Sequence, residues 1–222
     1  MICSAFAHFQ VGLLFRMKYP NFNYENKIWA TSKTIGALDE VGRGSLAGPL
    51  VSAVVVFDKS IVTTFNDVGL GKVKDSKLLS PKMREELSKI IKQEVLSYSI
   101  SEISVERINK HGIGKCTQYA FRKAIGKLPA KPEHLLIDAF YIKYLPKKNQ
   151  TPVIKGDLKC FTIACASIIA KVHRDNLMRK FHKAYPNYGF DRHKGYGTKL
   201  HKENISKNGL SKIHRKSFKI KV

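Results

Sequence analysis

An α/β fold is the class this sequence predicts. Apolar runs of strand length alternate with helical segments, glycine- and proline-marked turns punctuate them, and several of the scarce acidic residues end the apolar runs. In that order strands and helices make a sheet covered on both faces. Residues 35–38 form the first short strand, closed by the turn Gly42-Arg43-Gly44. Residues 50–57, rich in valine, read as a buried strand. Ser80 then caps a helix with Pro81 at its first position and Glu85-Glu86 in the early turns. Residues 94–103 look like a strand. Residues 104–127 look helical, with a break near His111-Gly112-Ile113-Gly114, and 134–137 form a strand ending at Asp138. Residues 162–180, rich in alanine and isoleucine, make a strong helix.

The 222 residues suffice to bury a core without disulfides or structural metal, and 43% hydrophobic residues excludes a disordered chain. The charge is unusual: 40 Lys and Arg against 17 Asp and Glu leave +23. A polyanionic partner explains such an excess, although a solvated lysine-rich surface would produce it too. The cysteines Cys3, Cys116, Cys160 and Cys165 show no metal-binding spacing. With no secretory leader, a cytoplasmic location without membrane attachment is expected. Residues 1–16 read as an N-terminal extension, 17–198 as the main folded domain and 199–222 as a basic C-terminal extension. The last carries eight Lys/Arg and one acid, Glu203, and is either a solvated tail or an arm along a phosphate backbone.

The acids carry the chemistry. Asp39-Glu40 follows one apolar strand, Asp138 ends a second, and Asp157 follows the apolar pair Val153-Ile154. Side chains at the carboxyl ends of strands converge on a crevice. Clustered carboxylates repel unless a cation sits among them, and Mg²⁺ or Mn²⁺ suits such hard oxygen ligands. In a polyanion-binding protein this points to phosphodiester cleavage at a two-metal site. Each acid taken alone reads more readily as a cap or a surface ion-pair partner.

The stretch Asp39-Glu40-Val41-Gly42-Arg43-Gly44-Ser45-Leu46-Ala47-Gly48-Pro49 resembles the signature of the type 2 ribonuclease H (ribonuclease HII) family. Further blocks agree in order: Asp75-Ser76-Lys77 with Leu79-Ser80, Leu136-Ile137-Asp138, and Lys155-Gly156-Asp157 running into 163–172. Tyr185-Pro186 with Tyr188-Gly189-Phe190, Lys194-Gly195-Tyr196-Gly197-Thr198 and His214-Arg215-Lys216-Ser217-Phe218 complete the set. The resemblance implies a ribonuclease-H-like fold, a five-stranded mixed sheet flanked by helices with a helical C-terminal extension. It implies Mn²⁺ or Mg²⁺ held by Asp39, Glu40, Asp138 and Asp157. It also implies cleavage of RNA in RNA–DNA hybrids and nicking 5′ of single ribonucleotides in duplex DNA, leaving 3′-hydroxyl and 5′-phosphate ends.

Gly42, Arg43, Gly44 and Tyr196 are implied to recognise the RNA–DNA junction. Glycines let backbone amides approach a ribose 2′-OH, and Tyr196 offers a face to a deoxyribose. Lys77, Ser167 and Lys171 are expected to contact phosphate; Ser167 and Lys171 share a helix face, although Lys171 could instead pair with Asp175. Departures are Ser45 for a usual proline, Leu78 for a lysine, Cys165 for an alanine and Leu210 for a Gly-Pro pair. The enzyme is expected to act as a monomer. A type 3 ribonuclease H would carry a sizeable N-terminal domain, for which 38 residues before Asp39 leave little room. A transposase or integrase core would not place its acids in these blocks. A non-catalytic nucleic-acid-binding module would not keep four acids inside a basic protein.

Overall fold

A computed structural model describes residues 19–219; the expected extension at 1–16 lies outside them. In chain order the elements are α1 (Asn23–Ile28), β1 (Thr34–Val41), β2 (Leu50–Asp58), α2 (Ile61–Thr64), α3 (Pro81–Glu94) and β3 (Ser97–Ile103). There follow α4 (Val105–His111), α5 (Ile113–Gly126), β4 (His134–Asp138), β5 (Gln150–Val153), α6 (Gly156–Lys159), α7 (Phe161–Ala184), α8 (Phe190–His193) and α9 (Lys199–Asn208). The strands form one mixed sheet in the order β3-β2-β1-β4-β5. β1 pairs antiparallel with β2 and parallel with β4, so the sheet changes direction at its centre.

The valine run of β2 is buried along eight of its nine residues because both faces of the sheet are covered. Val51, Ala53, Val55 and Phe57 pack in the core under α7, with Ile163, Ala166 and Ala170. Val54 and Val56 point the other way, onto Phe121 and Ala124 of α5. This is the period-two alternation of a strand. Ser99 and Ser101 of β3 fasten α5 by donating to the carbonyls of Ala124 and Ala120. β5 tolerates Pro152 because it is an edge strand.

The expected cap on α3 is present: the Ser80 hydroxyl accepts the Met83 N–H at 3.2 Å. Gly112, at φ 77°, separates α4 from α5. The strand expected at 94–103 begins at Ser97, since α3 runs to Glu94. The helix expected at 162–180 runs from Phe161 to Ala184. The C-terminal region is not a solvated tail: α9 buries His201 and Ile205, and His214 bridges to Ala47 beside β2. Among the described residues no helix is long and apolar enough to cross a membrane.

One buried carboxylate sets the start of α7. Glu25, fully buried on α1, accepts both the N–H and the hydroxyl of Thr162 through Oε1, each at 2.9 Å. A carboxylate there satisfies an orphan helix donor and complements the helix dipole. Burial raises the Glu25 pKa, and its Oε2 has no hydrogen-bond partner. Glu25→Ala should therefore lower the free energy of unfolding by about 1–2 kcal/mol in urea titrations. An unchanged midpoint would show that the α1–α7 contact adds nothing.

Candidate active site

The parallel pairing of β1 with β4 ends at Leu38 and Ile137, and the next residue on each strand is an acid, Asp39 and Asp138. Beyond that point β1 continues on β2 alone, placing Glu40 opposite Ser52. The divergence opens the crevice expected at strand carboxyl ends. Asp157 enters from a different kind of element: it sits in the first turn of α6, beyond β5. Lys155, left-handed at φ 57°, makes the turn that brings it in. Gly156 then donates its N–H to Asp138 Oδ1 at 2.7 Å. A Cβ at Gly156 would lie 2.6 Å from Ile163 Cδ1 and 3.3 Å from Asp138 Oδ1, so a larger residue there would require Ile163 to shift.

Asp39 is buried, and its pKa is raised well above the ordinary carboxylate range by that burial and then by Glu40, Asp138 and Asp157. Burial lifts Glu40 to about 7, although Arg43, 3.7 Å away, works against it. Asp138 is raised by burial and by Asp157. The four acids thus lie within one another's field. Among the described residues no three such side chains already form a cage able to hold an ion. The donor set nevertheless fits a divalent cation. Glu40 Oε2 is buried without a hydrogen-bond partner, and the Lys77 ammonium already stands 2.9 Å from Asp157 and 3.8 Å from Asp75. Oxygen-only ligands under mutual repulsion suit Mg²⁺ or Mn²⁺. Asp39, Glu40, Asp138 and Asp157 would hold the ion, with Lys77 withdrawing from Asp157.

Of the expected phosphate contacts, only Lys77 has an exposed side chain. Ser167 is 2% exposed: its hydroxyl lies 3.1 Å from that of Ser76, and it stands close enough to Asp39 to work against the rise in that acid's pKa. It sits beneath the acids, where it steadies Asp39. Lys171 donates to Asp175 at 2.7 Å, the pairing left open by the sequence, and its ammonium is 5.8 Å from the centre of the Tyr196 ring. The loop holding Gly42, Arg43 and Gly44 meets the Tyr196 turn through N–H groups of Leu46 and Ala47, both donating to the Gly195 carbonyl. Arg43 and Gly44 are exposed there, and Gly42 is buried.

Two residues that hold this junction were not singled out from sequence. Arg174, fully buried, donates to the carbonyls of Pro49, Ala47 and Lys194 and to the Ser45 hydroxyl. Arg215, also fully buried, donates to the carbonyls of Gly48 and Arg43. A signal existed for each: Arg174 follows Ser167 and Lys171 at i+7 and i+3 on one helical face, and Arg215 lies within the final motif block. Arg43, Phe140, Lys115, Arg122 and Lys143 line a cleft, which Arg43 connects to Glu40. Tyr144, 88% exposed, lies at its edge under Arg122. Basic and aromatic groups in that mixture suit a nucleic-acid strand.

Comparison with known proteins identifies the family and the fold. The family model for ribonuclease HII matches residues 35–221. A ribonuclease HII of Clostridium perfringens (strain SM101 / Type A) is 48% identical over 198 residues, 89% of this chain and 71% of that one. One of Chloroherpeton thalassium is 49% identical over 199 residues, 89% of this chain and 95% of that one. The crystal structure of ribonuclease H2 from Pyrococcus horikoshii OT3 superposes with a TM-score of 0.69 at 26% identity, covering 84% of this chain and 94% of that one.

The raised carboxylates make stability depend on pH. A folded pKa near 7 against an ordinary 4.5 means that folded Glu40 binds the extra proton between those values. Its contribution is therefore present below about pH 4.5 and is lost as pH rises through about 7. In chelator-containing buffer, Glu40→Gln should gain stability over the wild type across that window, by on the order of 3 kcal/mol. Urea titrations of both proteins at several pH values read the difference, in which the shared histidines cancel. A constant difference would mean that Glu40 ionises as it would in water.

Proposed function

The chain belongs to the ribonuclease HII family of endonucleases acting on the RNA of RNA–DNA hybrids, and on that premise we propose that it also nicks duplex DNA 5′ of single ribonucleotides. It would do so as a monomer, leaving 3′-hydroxyl and 5′-phosphate ends. One observation carries this reading. The Gly42–Arg43–Gly44 loop and the Tyr196 turn are joined through the Gly195 carbonyl at the mouth of the acid crevice. A sensor of the sugar and the hydrolytic site are then one rigid unit.

The glycines support the same reading in different ways. A Cβ on Gly42 would lie 2.1 Å from Arg174 Nε, so the fold itself demands glycine there. A Cβ on Gly44 would meet nothing within 4 Å, so the fold does not. Close approach of a ribose to the backbone N–H groups accounts for Gly44, because the 2′-OH distinguishes RNA from DNA. Tyr196, half-buried with Arg174 5.4 Å and Lys171 5.8 Å from its ring centre, is held to stack on the neighbouring deoxyribose. Lys77 has the exposure and reach to neutralise the scissile phosphate. When bound, two Mg²⁺ or Mn²⁺ ions would lower the pKa of the attacking water and neutralise charge on the leaving 3′-oxygen. Asp39, Glu40, Asp138 and Asp157 would hold them. The chain's match to the ribonuclease HII model favours this over a type 3 enzyme, and the buried acids favour it over a non-catalytic module.

The test uses a duplex with one embedded ribonucleotide, incubated with and without Mn²⁺. Nicking should require the metal, and Asp39→Asn should abolish it while leaving binding intact. Tyr196→Ala should slow nicking on the order of 100-fold, because a displacement of about 1 Å misaligns the reacting groups. Its dissociation constant for the same duplex should hardly change. Equal losses in rate and affinity would make Tyr196 a general binding residue, and no loss in either would make it packing alone.

A further inference from the structure

Three histidines beneath the Tyr196 turn are not used by the chemistry above. His193, His201 and His214 are all buried, and the rings of His193 and His201 stack with centroids 4.1 Å apart. The hydrogen bonds fix which nitrogen carries each proton. His214 Nδ1 receives the backbone N–H of Ser211 at 2.9 Å. A backbone N–H can only donate, so this nitrogen has no proton and Nε2 must carry one. His214 Nε2 faces His201 Nε2 at 3.1 Å. It therefore donates, and His201 Nε2 accepts. The remaining proton of His201 is on Nδ1, 2.9 Å from the carbonyl of Tyr196.

His193 obeys the same logic: Nδ1 accepts the Gly195 N–H at 3.1 Å and Nε2 donates to the Tyr188 carbonyl at 2.7 Å. Adding a proton to His201 or His214 would set two N–H groups against each other. Burial agrees with that exclusion, pushing both rings down to about 4. The Tyr196 peptide is thereby held on both sides. Its N–H donates to the His193 carbonyl at 2.9 Å, and its own carbonyl accepts from His201 and from the Thr198 N–H.

We infer that Ser211, His214 and His201 form a tautomer-locked relay that aims Tyr196 at the ribose–deoxyribose junction, with His201 and His214 as positioning residues. The relay begins at Ser211 and His214, immediately before Arg215, whose guanidinium bonds the Arg43 carbonyl. One C-terminal segment thus sets both halves of the junction sensor. The inference rests on the reading of Tyr196 given above.

Two experiments test it. The first needs no activity: in long-range ¹H–¹⁵N spectra of histidine-labelled protein at pH 7, the assigned signals of His193, His201 and His214 should be neutral, His201 as the Nδ1–H tautomer and His193 and His214 as Nε2–H. Protonation of any of those three rings, or His201 as Nε2–H, overturns the relay. The second compares nicking at a single ribonucleotide with hydrolysis of a uniform RNA–DNA hybrid, which lacks the junction. His201→Phe keeps the stacked ring and removes the donor; it should lower the ratio of the two rates at least ~10-fold, or about 1.4 kcal/mol. His201→Asn loses the ring but puts an N–H donor where Nδ1 was, and should recover most of the ratio. A purely structural role predicts the opposite ranking, because Phe preserves the packing better. If Tyr196→Ala lowers the ratio and His201→Phe does not, the relay is wrong and the junction reading survives. If Tyr196→Ala leaves the ratio unchanged, the junction reading itself fails and the relay's role with it.

Discussion

Two buried guanidiniums organise everything around the crevice. Arg174 and Arg215 have no exposure to solvent, and among the described residues neither is paired with a carboxylate. A buried charge is costly unless its hydrogen bonds are made, and bonds to an ionised donor are the strong ones. Here they are made to the backbone: carbonyls of Arg43, Ala47, Gly48, Pro49 and Lys194 take up the guanidinium N–H groups, with the Ser45 hydroxyl beside them. Those carbonyls belong to loop segments that are also tied by backbone bonds from Leu46 and Ala47 to Gly195 and from Gly48 to Ile213. Burial and the neighbouring Arg174 push Arg215 down to about 9, which still leaves it charged at neutral pH. Moving the 42–49 loop would strand two interior charges, so the loop is held in one conformation.

That constraint divides one motif into parts with different causes. Gly42 and Gly48 both have positive φ, and a Cβ on them would strike Arg174 and Met178, at 2.1 Å and 2.4 Å. They are glycine so that α7 can approach. Gly44 has no such neighbour. Ser45, a departure from the usual proline, contributes a tie that proline could not make: its hydroxyl donates to the Gly42 carbonyl at 2.9 Å and accepts from Arg174 at 2.8 Å. The substitution therefore sits within the arginine network.

Much of this was legible in the sequence, for a definable reason. Strand period, helix caps and glycine breaks act over a few residues, so β2, the Ser80 cap and the break at Gly112 could be read directly. The convergence of the acids followed from a topological rule, and Asp39 and Asp138 obey it. What was not legible depends on partners far apart in the chain. Glu25 is separated from Thr162 by 137 positions, and Arg174 from Ser45 by 129. Ser167 and Lys171 do lie on the face turned towards the crevice, but helical periodicity carries no information on depth. Ser167 lies under Asp39, and Lys171 is occupied by Asp175. Asp157 reaches the site from a one-turn helix because the left-handed Lys155 redirects the chain after β5, a turn that periodicity does not reveal.

The electrostatics separate affinity from register. A net charge of +23 draws in a polyanion without regard to its sequence or sugar, and Lys115, Arg122 and Lys143 line a cleft next to Arg43. The crevice is opposite in sign: built from the chain's own residues, four acids repel the phosphate that must enter it. Binding energy gathered over the basic surface therefore cannot by itself seat a phosphate among them. On the proposed function, bound metal ions and Lys77 offset that repulsion, and register is set by the backbone amides of the 42–44 turn and the ring of Tyr196, both braced by interior arginines. A loop free to relax would let the duplex settle on the lysines and arginines with its phosphate outside the crevice. On that proposal, selective cutting by so positively charged a chain depends on the rigidity of the 42–49 loop.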